Sequence, residues 1–577
     1  MKKGSLVFIV ILGFTCNVFS QSANAPLNKF YYHLLDRYEI KSGKVSESFH
    51  SSSKPYDRKA IAAFVDSIRL SEDTVFLNPT DRYNLQYLAN DNWEWSQTAK
   101  NNSKKPFLKK LYRNQSDLYH VNTEHFDLHV NPVLYLSGGF DKDEDSTPYT
   151  NTRGVQIRGS VDKKVGFYTF LGENQTRFPA YARDWVVDPI AERYSIPGEG
   201  FWKSIEGNAY DFFSARGYIN VNATKHIQVQ LGFDKNSIGN GHRSLILSDF
   251  ANSYAFMKIT TRVWKLNYTN IFAEMKANHR ASPGGSRSDR QYPNKFMAFH
   301  HLSLNITKNF NVGIFEAVSF AENDTTRATV PFNLNYLNPI IFFRAIEQNE
   351  GSPHNAILGA DFKWNLWEKF SLYGQIVLDE FKLDNVTAGN GWWANKFAYQ
   401  FGVKYIDVFN IPNLDVQLET NIVRPYTYSH FTQRTNFSHY NLPLAHPLGA
   451  NFNEYIGIMR FQPMKKLWFT GTLMYSEYGE DINTTSNYGG NVRLNSNSRF
   501  DGQGNRLDDF GNEIGQGVNT QLLYGDFTVS FHWKHNLFFD LQGVLRRLDS
   551  DIDDRDKNSI FGSFSLRWNI PQRALEF

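Results

Sequence analysis

Aromatic and histidine side chains crowd one polar stretch of the sequence, between Arg424 and Asn453. The residues there that could contact a ligand are Tyr426, Tyr428, His430, His439, Tyr440 and His446. Aromatic rings stack on the apolar faces of sugars, and histidines hydrogen-bond to hydroxyl groups. The stretch therefore predicts a glycan-contacting surface, and a loop that merely caps the fold is the alternative. The histidines lack metal-ligand spacing, so no metal site is expected.

A second polar stretch places His242 and Arg243 directly after Gly239-Asn240-Gly241. Glycine and asparagine favour a tight turn, and the two side chains that follow could bind sugar hydroxyls or carboxylates. The interpretation that we favour is a loop folded into the interior of a barrel, with Arg243 paired to an acid such as Asp249.

The same stretch also contains Ser244 and Ser248, so serine, histidine and aspartate occur close together. The spacing of a nucleophile elbow is absent, and we predict no catalytic set and no enzyme. Phosphate loops, zinc spacings and calcium loops are absent as well, and no cofactor is expected.

Adjacent tryptophans, Trp392 and Trp393, form a third candidate. They could provide a platform for a sugar ring. Aromatic girdles at the membrane interface place tryptophans at the same height of a barrel, and we favour that interpretation.

The composition narrows the class of protein that must position these residues. The 577 residues are 16% aromatic but only 41% hydrophobic, with a mean hydropathy of -0.47. Beyond the first two dozen positions no apolar run reaches the roughly 20 residues of a transmembrane helix, which excludes a helical membrane bundle. A net charge of +3 provides no field for a polyanion, so nucleic acid is not an expected partner.

Residues 1–25 have the form of a secretory signal peptide. Lys2 and Lys3 precede an apolar stretch from Leu6 to Phe14. Cleavage after the Ala23-Asn24-Ala25 triplet and cleavage before Gln21 both fit the pattern. The only cysteine, Cys16, lies in this leader, and its neighbours Phe14-Thr15 fit a lipoprotein signal poorly. The mature chain is therefore expected to be exported and to contain no disulfide.

Residues 26–120 show helical patterns and predict a small periplasmic helical segment. Ile61, Phe64, Val65 and Ile68 share one helix face behind Asp57. Farther along the segment, Thr80 has the character of an N-cap, while Leu85 and Leu88 lie on one face. The basic run from Lys104 to Lys110 is typical of a solvated linker. We expect no compact plug of the kind found in siderophore transporters.

From about His125 the hydrophobic period changes to two residues and stays so to the end. The region from Arg216 to Asp234 alternates as a hairpin. Short turns and long polar loops alternate strictly, and about 18 strands of 9 to 12 residues follow from Asp127 onward. Residues 121–577 therefore predict an all-β transmembrane barrel of antiparallel strands rather than a soluble sandwich or propeller. The terminal Phe577 matches the aromatic residue that barrel-assembly machinery reads.

Two segments, Ser237–Ile259 and His439–Tyr455, resemble the Wzi-type capsule-assembly proteins of Bacteroidota. Within that group the chain looks most like the RemB-type gliding motility proteins, including the helical stretch DRYNLQYLANDNWEW. The resemblance implies an outer-membrane barrel of about 18 strands behind a periplasmic helical segment. It further implies a role in binding surface polysaccharide, and in gliding relatives a role in motility. The implied partners are polysaccharide, outer-membrane lipid and lipopolysaccharide, the barrel-assembly machinery, and motility or secretion components.

The first functional hypothesis is thus a barrel in the outer membrane that binds or organises surface polysaccharide and supports gliding motility. The alternative is a passive, porin-like channel for small solutes. Polar residues predicted to face the lumen, Arg158, Gln228, Gln230 and Gln417, would suit such a pore.

Overall fold

The computed structural model describes residues 22–71, 75–277, 293–321, 334–342 and 354–577. Most of the predicted signal peptide, residues 1–21, lies outside the described residues. None of the helices in these ranges combines the length and the apolar character needed to cross a bilayer.

In the described residues, three helices precede the sheet: α1 (Lys29–Lys41), α2 (Arg58–Leu70) and α3 (Pro79–Asp91). Helix α2 has the predicted position, and the Asp57 carboxylate caps it by accepting a hydrogen bond from the N–H of Ala60 at 3.1 Å. The predicted cap of α3 is wrong. Asn78, not Thr80, is the N-cap, because its side chain accepts hydrogen bonds from the N–H groups of both Thr80 and Asp81 at 2.8 Å.

Helix α1 was not predicted, although its sequence contains the signal. Tyr31, Leu34, Leu35 and Tyr38 are spaced i, i+3, i+4 and i+7, and all four are buried. The charged residues that alternate with them conceal this apolar face.

Eighteen antiparallel strands form a closed barrel. In chain order they are β1 (Phe126–Asp141), β2 (Tyr149–Val161), β3 (Val165–Arg177), β4 (Ala209–Asn222), β5 (Ile227–Asp234), β6 (Tyr254–Val263), β7 (Leu266–Lys276), β8 (Asn294–Asn305), β9 (Phe310–Phe320), β10 (Asn355–Leu366), β11 (Phe370–Glu380), β12 (Lys396–Tyr405), β13 (Leu414–Val423), β14 (Phe452–Met464), β15 (Leu467–Glu480), β16 (Val518–Lys534), β17 (Leu537–Ser550) and β18 (Lys557–Trp568). Closure comes from pairing of β18 with β1, from Phe561 opposite Asp141 to Trp568 opposite Leu134. The predicted fold class and strand number are confirmed.

Several short strands and helices lie outside the 18 barrel strands. Strands Tyr119–Asn122 and Trp202–Ile205 each pair with one barrel strand only, β1 and β4 respectively. Helices α4 (Ala180–Val186) and α5 (Leu383–Thr387) lie in loops. Two-residue strands pair Ser53–Lys54 with Ser237–Ile238, Val187–Asp188 with Arg193–Tyr194, and Ser438–His439 with Leu442–Pro443.

Short and long connections lie at opposite ends of the barrel, as predicted. The short-turn end has connections of two to eight residues, such as 162–164, 223–226 and 535–536. The long-loop end includes 178–208, 235–253, 424–451 and 481–517.

The two faces of the wall differ in polarity. Outward side chains form an apolar belt that includes Leu418, Leu473, Phe527, Leu541, Leu545 and Phe564, each at least 49% exposed. Of the residues predicted to face the lumen, Arg158, Gln230 and Gln417 are buried inside the barrel, and Gln228 is half-buried. An apolar exterior around a polar interior is the arrangement of a barrel that spans a membrane.

The helical segment fills the short-turn end of the lumen instead of standing apart from the barrel. Buried Arg37 of α1 forms ion pairs with Asp415 on β13 and with Asp407 in the turn before it. On β10, Lys363 pairs with Asp36 and Glu39. We call residues 22–95, with α1 to α3, the N-terminal plug. The expectation concerned a compact plug of the siderophore-transporter kind, and whether this helical segment fills the lumen could not be predicted from the sequence. The reason is tertiary: the charges on α1 have their partners on the barrel wall.

Contacts of the plug continue around the wall. The Tyr87 hydroxyl donates to Asn536 at 2.5 Å, and the N–H of Asn24 donates to the Tyr218 hydroxyl at 2.8 Å. Glu94 forms an ion pair with Arg158 on β2. Trp468 on β15 packs into the apolar core of the helices. Strands from all sides of the ring thus hold the plug.

Loops fill the opposite half. Segments 235–253 and 424–451 fold inward and pack against inward side chains of the strands. We call this cluster the lumen core; its loop residues include Leu245, Ile246, Leu247, Tyr428, Phe437, Leu442 and Leu444. Its wall residues include Met297, Phe299, Phe315 and Val377. The lumen is apolar at this level because both the loops and the wall supply apolar side chains.

The chain does not end on the barrel wall. Strand β18 ends at Trp568, and residues 569–577 turn back into the lumen, where Phe577 is 4% exposed. The residue that ends the last strand is therefore Trp568. Phe577 therefore lies outside the last strand, and its recognition by the barrel-assembly machinery stays a prediction.

Candidate functional site

The aromatic and histidine loop predicted as a glycan surface is mostly inside the barrel. Tyr426, Tyr428, His430, His439 and His446 are at most 6% exposed. Tyr440 is half-buried. The prediction of an exposed surface is wrong for the five buried residues, since their rings pack in the lumen core or against other loops.

Two of these residues hold the loops together by hydrogen bonds. The Tyr428 hydroxyl donates to the carbonyl of Leu245 at 2.7 Å, which joins loop 424–451 to loop 235–253. His439 lies 3.1 Å from the carbonyl of Ser253. Burial lowers the pKa of His439 to about 3, so the ring is neutral.

Arg243 and His446 converge on one buried carboxylate, Glu454 at the start of β14. The guanidinium lies 3.2 Å from Glu454, and the His446 ring lies 2.7 Å from it. Asn421 donates to the same carboxylate at 3.0 Å. The favoured interpretation of the 237–249 stretch, an inward loop with Arg243 paired to an acid, is confirmed. The acid is Glu454 and not Asp249.

A second carboxylate fixes the backbone of this loop. Glu419 on β13 accepts hydrogen bonds from the N–H groups of His242 at 2.6 Å and Arg243 at 3.0 Å. The His242 ring lies 2.8 Å from Glu576 in the C-terminal tail, which also pairs with Lys29 of α1 at 2.8 Å. This ring therefore joins plug, loop and tail, and is not presented to solvent.

Serine hydroxyls near His242 have structural partners. Ser244 donates to the carbonyl of Ile238, and Ser248 donates to the carbonyl of Leu444 at 3.1 Å. Within the described ranges, no group of three or more histidines, cysteines, aspartates or glutamates could hold a metal ion.

The tryptophan pair lies in loop 381–395. The Arg499 guanidinium covers the Trp393 ring at 4.5 Å, and Tyr426 meets that ring edge-on at 6.0 Å. Trp393 thus packs between loops. This position matches neither the membrane girdle nor the sugar platform considered for it. The half-buried Trp392 lies with Lys382 5.9 Å from its ring.

A cavity that the sequence did not indicate opens among the loops of the long-loop end. This outer pocket has a volume of about 350 Å³ and is lined by residues of segments 181–193, 441–449, 478–493 and 546–557, together with Phe577. Ligand pockets in proteins have volumes of about 300–1,000 Å³. Four segments distant in sequence build it, so no local motif could have revealed it.

Charged and aromatic side chains line the outer pocket. Asp184 and Lys557 form an exposed ion pair, and Glu480 accepts from Arg555 at 3.0 Å. Such carboxylates, ammonium and guanidinium groups can hydrogen-bond to hydroxyls or charged substituents of a sugar. Tyr478 adds a half-buried aromatic ring to the lining.

Trp185 in the same pocket is in contact with two other side chains. Arg193 lies 4.0 Å from its ring, and Phe577 packs with a centroid separation of 4.2 Å. Its indole therefore forms part of the pocket wall together with Arg193 and Phe577.

One pocket carboxylate has an altered acidity. Burial raises the pKa of Asp481 to about 7, and neighbouring Glu480 and Asp188 act in the same direction. Arg555 opposes them, and the Asp481 carboxylate accepts a hydrogen bond from the N–H of Tyr488 at 2.8 Å. The charge of the pocket therefore changes near neutral pH.

A larger cavity lies deeper in the lumen, between the loops and the plug. This inner chamber has a volume of about 370 Å³. Hydroxyl side chains of the wall, Thr470, Thr472, Thr528 and Ser530, line it together with charged residues such as Arg216. Phe577 and Pro447 line both the inner chamber and the outer pocket.

Comparison with known proteins identifies the fold. The structure is similar to Wzi of Escherichia coli, an outer-membrane protein involved in group 1 capsule assembly and a carbohydrate-binding β-barrel, with a TM-score of 0.53 and 12% sequence identity. The match covers 96% of this chain and 100% of that one. OprD of Pseudomonas aeruginosa (TM-score 0.40, 11% identity) matches over 76% of this chain and 94% of its own. No protein-family model matches the sequence, and neither does any curated protein.

The comparison confirms a Wzi-like fold and the architecture of an outer-membrane barrel. In such barrels short turns face the periplasm and long loops face outward.

Proposed function

We propose that this protein binds surface polysaccharide at its long-loop end and does not act as an open pore. The observation that carries the proposal is the outer pocket, which lies outside a lumen closed twice. In the part of the chain that the structure describes, the lumen core fills the outer half, the N-terminal plug fills the periplasmic half, and residues 569–577 lie along the cavities between them. A polysaccharide can therefore contact only the side chains at the outer face of the barrel.

The full-length likeness to a carbohydrate-binding barrel supports this proposal. The pocket supports it independently, since its carboxylates, arginines and Tyr478 are groups that bind sugars. Retention of polysaccharide at the cell surface follows from such binding. The motility role rests on the sequence resemblance alone.

The alternative of a passive channel requires a lumen that solutes can cross. Arg158 and Gln417, which would suit a pore, are instead engaged: Arg158 pairs with Glu94 of the plug, and Gln417 donates to the Tyr373 hydroxyl at 2.9 Å. The closed lumen therefore favours the binding hypothesis.

The test is binding of purified surface polysaccharide and of its fragments to the protein in detergent. Asp184→Ala and Lys557→Ala each remove an exposed polar group from the pocket. Each is expected to weaken binding about fivefold, as the loss of one hydrogen bond of ~1 kcal/mol would. Arg547→Ala is the matched control, because Arg547 is exposed and lies next to the pocket residue Arg546 without lining the pocket.

Unchanged affinity in both pocket variants would exclude this pocket as the binding site. Absence of binding by the unaltered protein, together with ion conductance in planar bilayers, would instead support the channel.

A further inference from the structure

The C-terminal tail, residues 569–577, runs through the barrel from the short-turn end toward the long loops. At its start, the N–H of Asn569 donates to the carbonyl of Asn536 at 3.0 Å, in the turn between β16 and β17. At its end, Arg546 near the outer end of β17 donates to the carbonyl of Phe577 at 3.3 Å. The tail therefore spans most of the height of the lumen.

Three cavities follow one another along the tail. A cavity of about 60 Å³ near the short turns is lined by Asn569, Ile570 and Pro571. The inner chamber, of about 370 Å³, is lined by Ile570 to Ala574 and by Glu576 and Phe577. The outer pocket, of about 350 Å³, meets the tail only at Phe577. The tail thus occupies a path that links the cavities.

Side-chain contacts, and not backbone hydrogen bonds to the sheet, hold the tail in place. Among the described residues, positions 571–577 make no backbone-to-backbone hydrogen bond. Arg573 pairs with Glu199 at 3.3 Å, and Glu576 pairs with Lys29 and His242. Removal of the tail would leave every strand pair of the barrel in place, because β18 ends at Trp568.

Phe577 lies where the outer pocket and the inner chamber meet. Its ring packs against Trp185, and of the described residues only Phe577 and Pro447 border both cavities. Pro447 belongs to loop 424–451, which strands β13 and β14 hold at its two ends, whereas Phe577 belongs to a segment without backbone-to-backbone hydrogen bonds in the described residues. Of the two, the phenylalanine is the residue that can move with least disturbance of the fold.

We propose that the C-terminal tail is a displaceable stopper in a latent conduit for water and small ions, with Phe577 as its outer seal. The hydroxyl-lined wall of the chamber suits a hydrated path. This inference is independent of polysaccharide binding, because it concerns access to the inner chamber and not affinity at the outer face.

The test uses cysteine labelling in a chain whose only native cysteine, Cys16, is replaced by serine. Ser530→Cys places a thiol in the inner chamber, and a small membrane-impermeant thiol reagent is added to intact cells. With the complete tail, labelling is expected to be slow. Deletion of residues 569–577 should accelerate this labelling roughly tenfold or more. The open state of the chamber is a minor state when the tail is present and is the only state when the tail is absent.

Two further cysteines serve as controls. Thr485→Cys in an exposed loop should label equally fast in every background. Ala317→Cys lies fully buried in the lumen core and lines no cavity of the conduit, so it should stay unlabelled. Heat-modifiability on gels verifies that each barrel is closed.

The variant Phe577→Ala removes the seal and keeps the rest of the tail. It should accelerate labelling at Ser530→Cys, and the deletion should also increase ion conductance in planar bilayers. Unchanged Ser530→Cys labelling in both backgrounds would overturn the proposal. Labelling of Ala317→Cys in the deletion background would mean that the deletion also loosens the lumen core. In that case only the Phe577→Ala background tests the proposal, and slow labelling of Ser530→Cys in that background would contradict the proposed seal.

Discussion

The guanidinium of Arg243 lies 3.2 Å from the carboxylate of Glu454, although 211 positions separate the two residues. One belongs to a loop folded into the lumen, and the other begins strand β14. Both side chains are buried. The pair therefore ties a loop of the long-loop end to the wall in the interior of the barrel.

Breaking this pair should destabilise the loops strongly. Glu454→Ala removes one of the two acidic partners of Arg243, while Glu576 stays 3.5 Å from the guanidinium, and it leaves His446 without its acceptor. The loss of these hydrogen bonds to a charged group should cost about 1.5–3 kcal/mol in the free energy of unfolding. The measurement is the unfolding temperature from heat-modifiability on gels. Asp549→Ala, which breaks the exposed pair of Arg547 and Asp549, is the control and should leave that temperature unchanged. Equal effects of both variants would contradict the structural role of Glu454.

Tyr428 should behave as a core residue and not as a ligand contact. Tyr428→Ala creates a cavity in the lumen core and is expected to cost about 3–5 kcal/mol. Tyr428→Phe removes only the hydrogen bond to Leu245 and should cost about 1 kcal/mol. Protease cleavage of loop 424–451 in intact cells reports the loss of packing. A fully stable alanine variant that released polysaccharide would restore the prediction of a binding loop.

The packing around Asp481 should depend on pH. Since burial raises its pKa to about 7, the folded loop favours the protonated form. The stabilisation is present at acidic pH and is lost as the pH rises through about 7. Proteolysis of loop 481–517 should therefore be faster at pH 8 than at pH 5.5, and Asp481→Asn should remove most of this difference. Persistence of the full difference in the asparagine variant would assign it to other groups.

Orientation in the membrane can be read from epitope tags. A tag within residues 483–517 should be accessible on intact cells, because this segment is the loop between β15 and β16. Tags at Lys163, Lys225 or Lys534 should become accessible only after the outer membrane is permeabilised, since these residues lie at the short-turn end. Surface labelling at Lys163 would invert the topology.

The mature chain is expected to begin at Gln21 and not at Pro26. Residues 22–25 belong to the folded plug: the N–H of Ala25 donates to the carbonyl of Tyr56 at 2.9 Å, and Ala23 accepts from the N–H of Arg58 at 3.0 Å. Cleavage after Ala25 would remove these contacts. The intact mass of the purified protein distinguishes the two sites, and a mass that begins at Pro26 would contradict the expectation.

The sequence by itself determined the barrel. Apolar and polar residues alternate with a period of two in a strand, so the neighbouring residues alone indicate which face of the sheet each side chain occupies. Loop lengths are equally local, and they predicted the two ends of the barrel. Helix α2 followed from Ile61, Phe64, Val65 and Ile68 for the same reason, because its buried face repeats within one short segment.

Only the tertiary structure decided what fills the barrel. Whether Asp36 and Arg37 of α1 face solvent depends on Lys363 and Asp415, more than 300 positions away. The loop that contains Tyr428 and His439 has the composition of a sugar-binding loop. The two side chains nevertheless pack inward, because a wide barrel leaves a lumen that loops can fill. The outer pocket and the path of the tail depend in the same way on contacts between distant segments. Local patterns specify which face of a strand is apolar, whereas burial of a loop depends on partners that no local pattern contains.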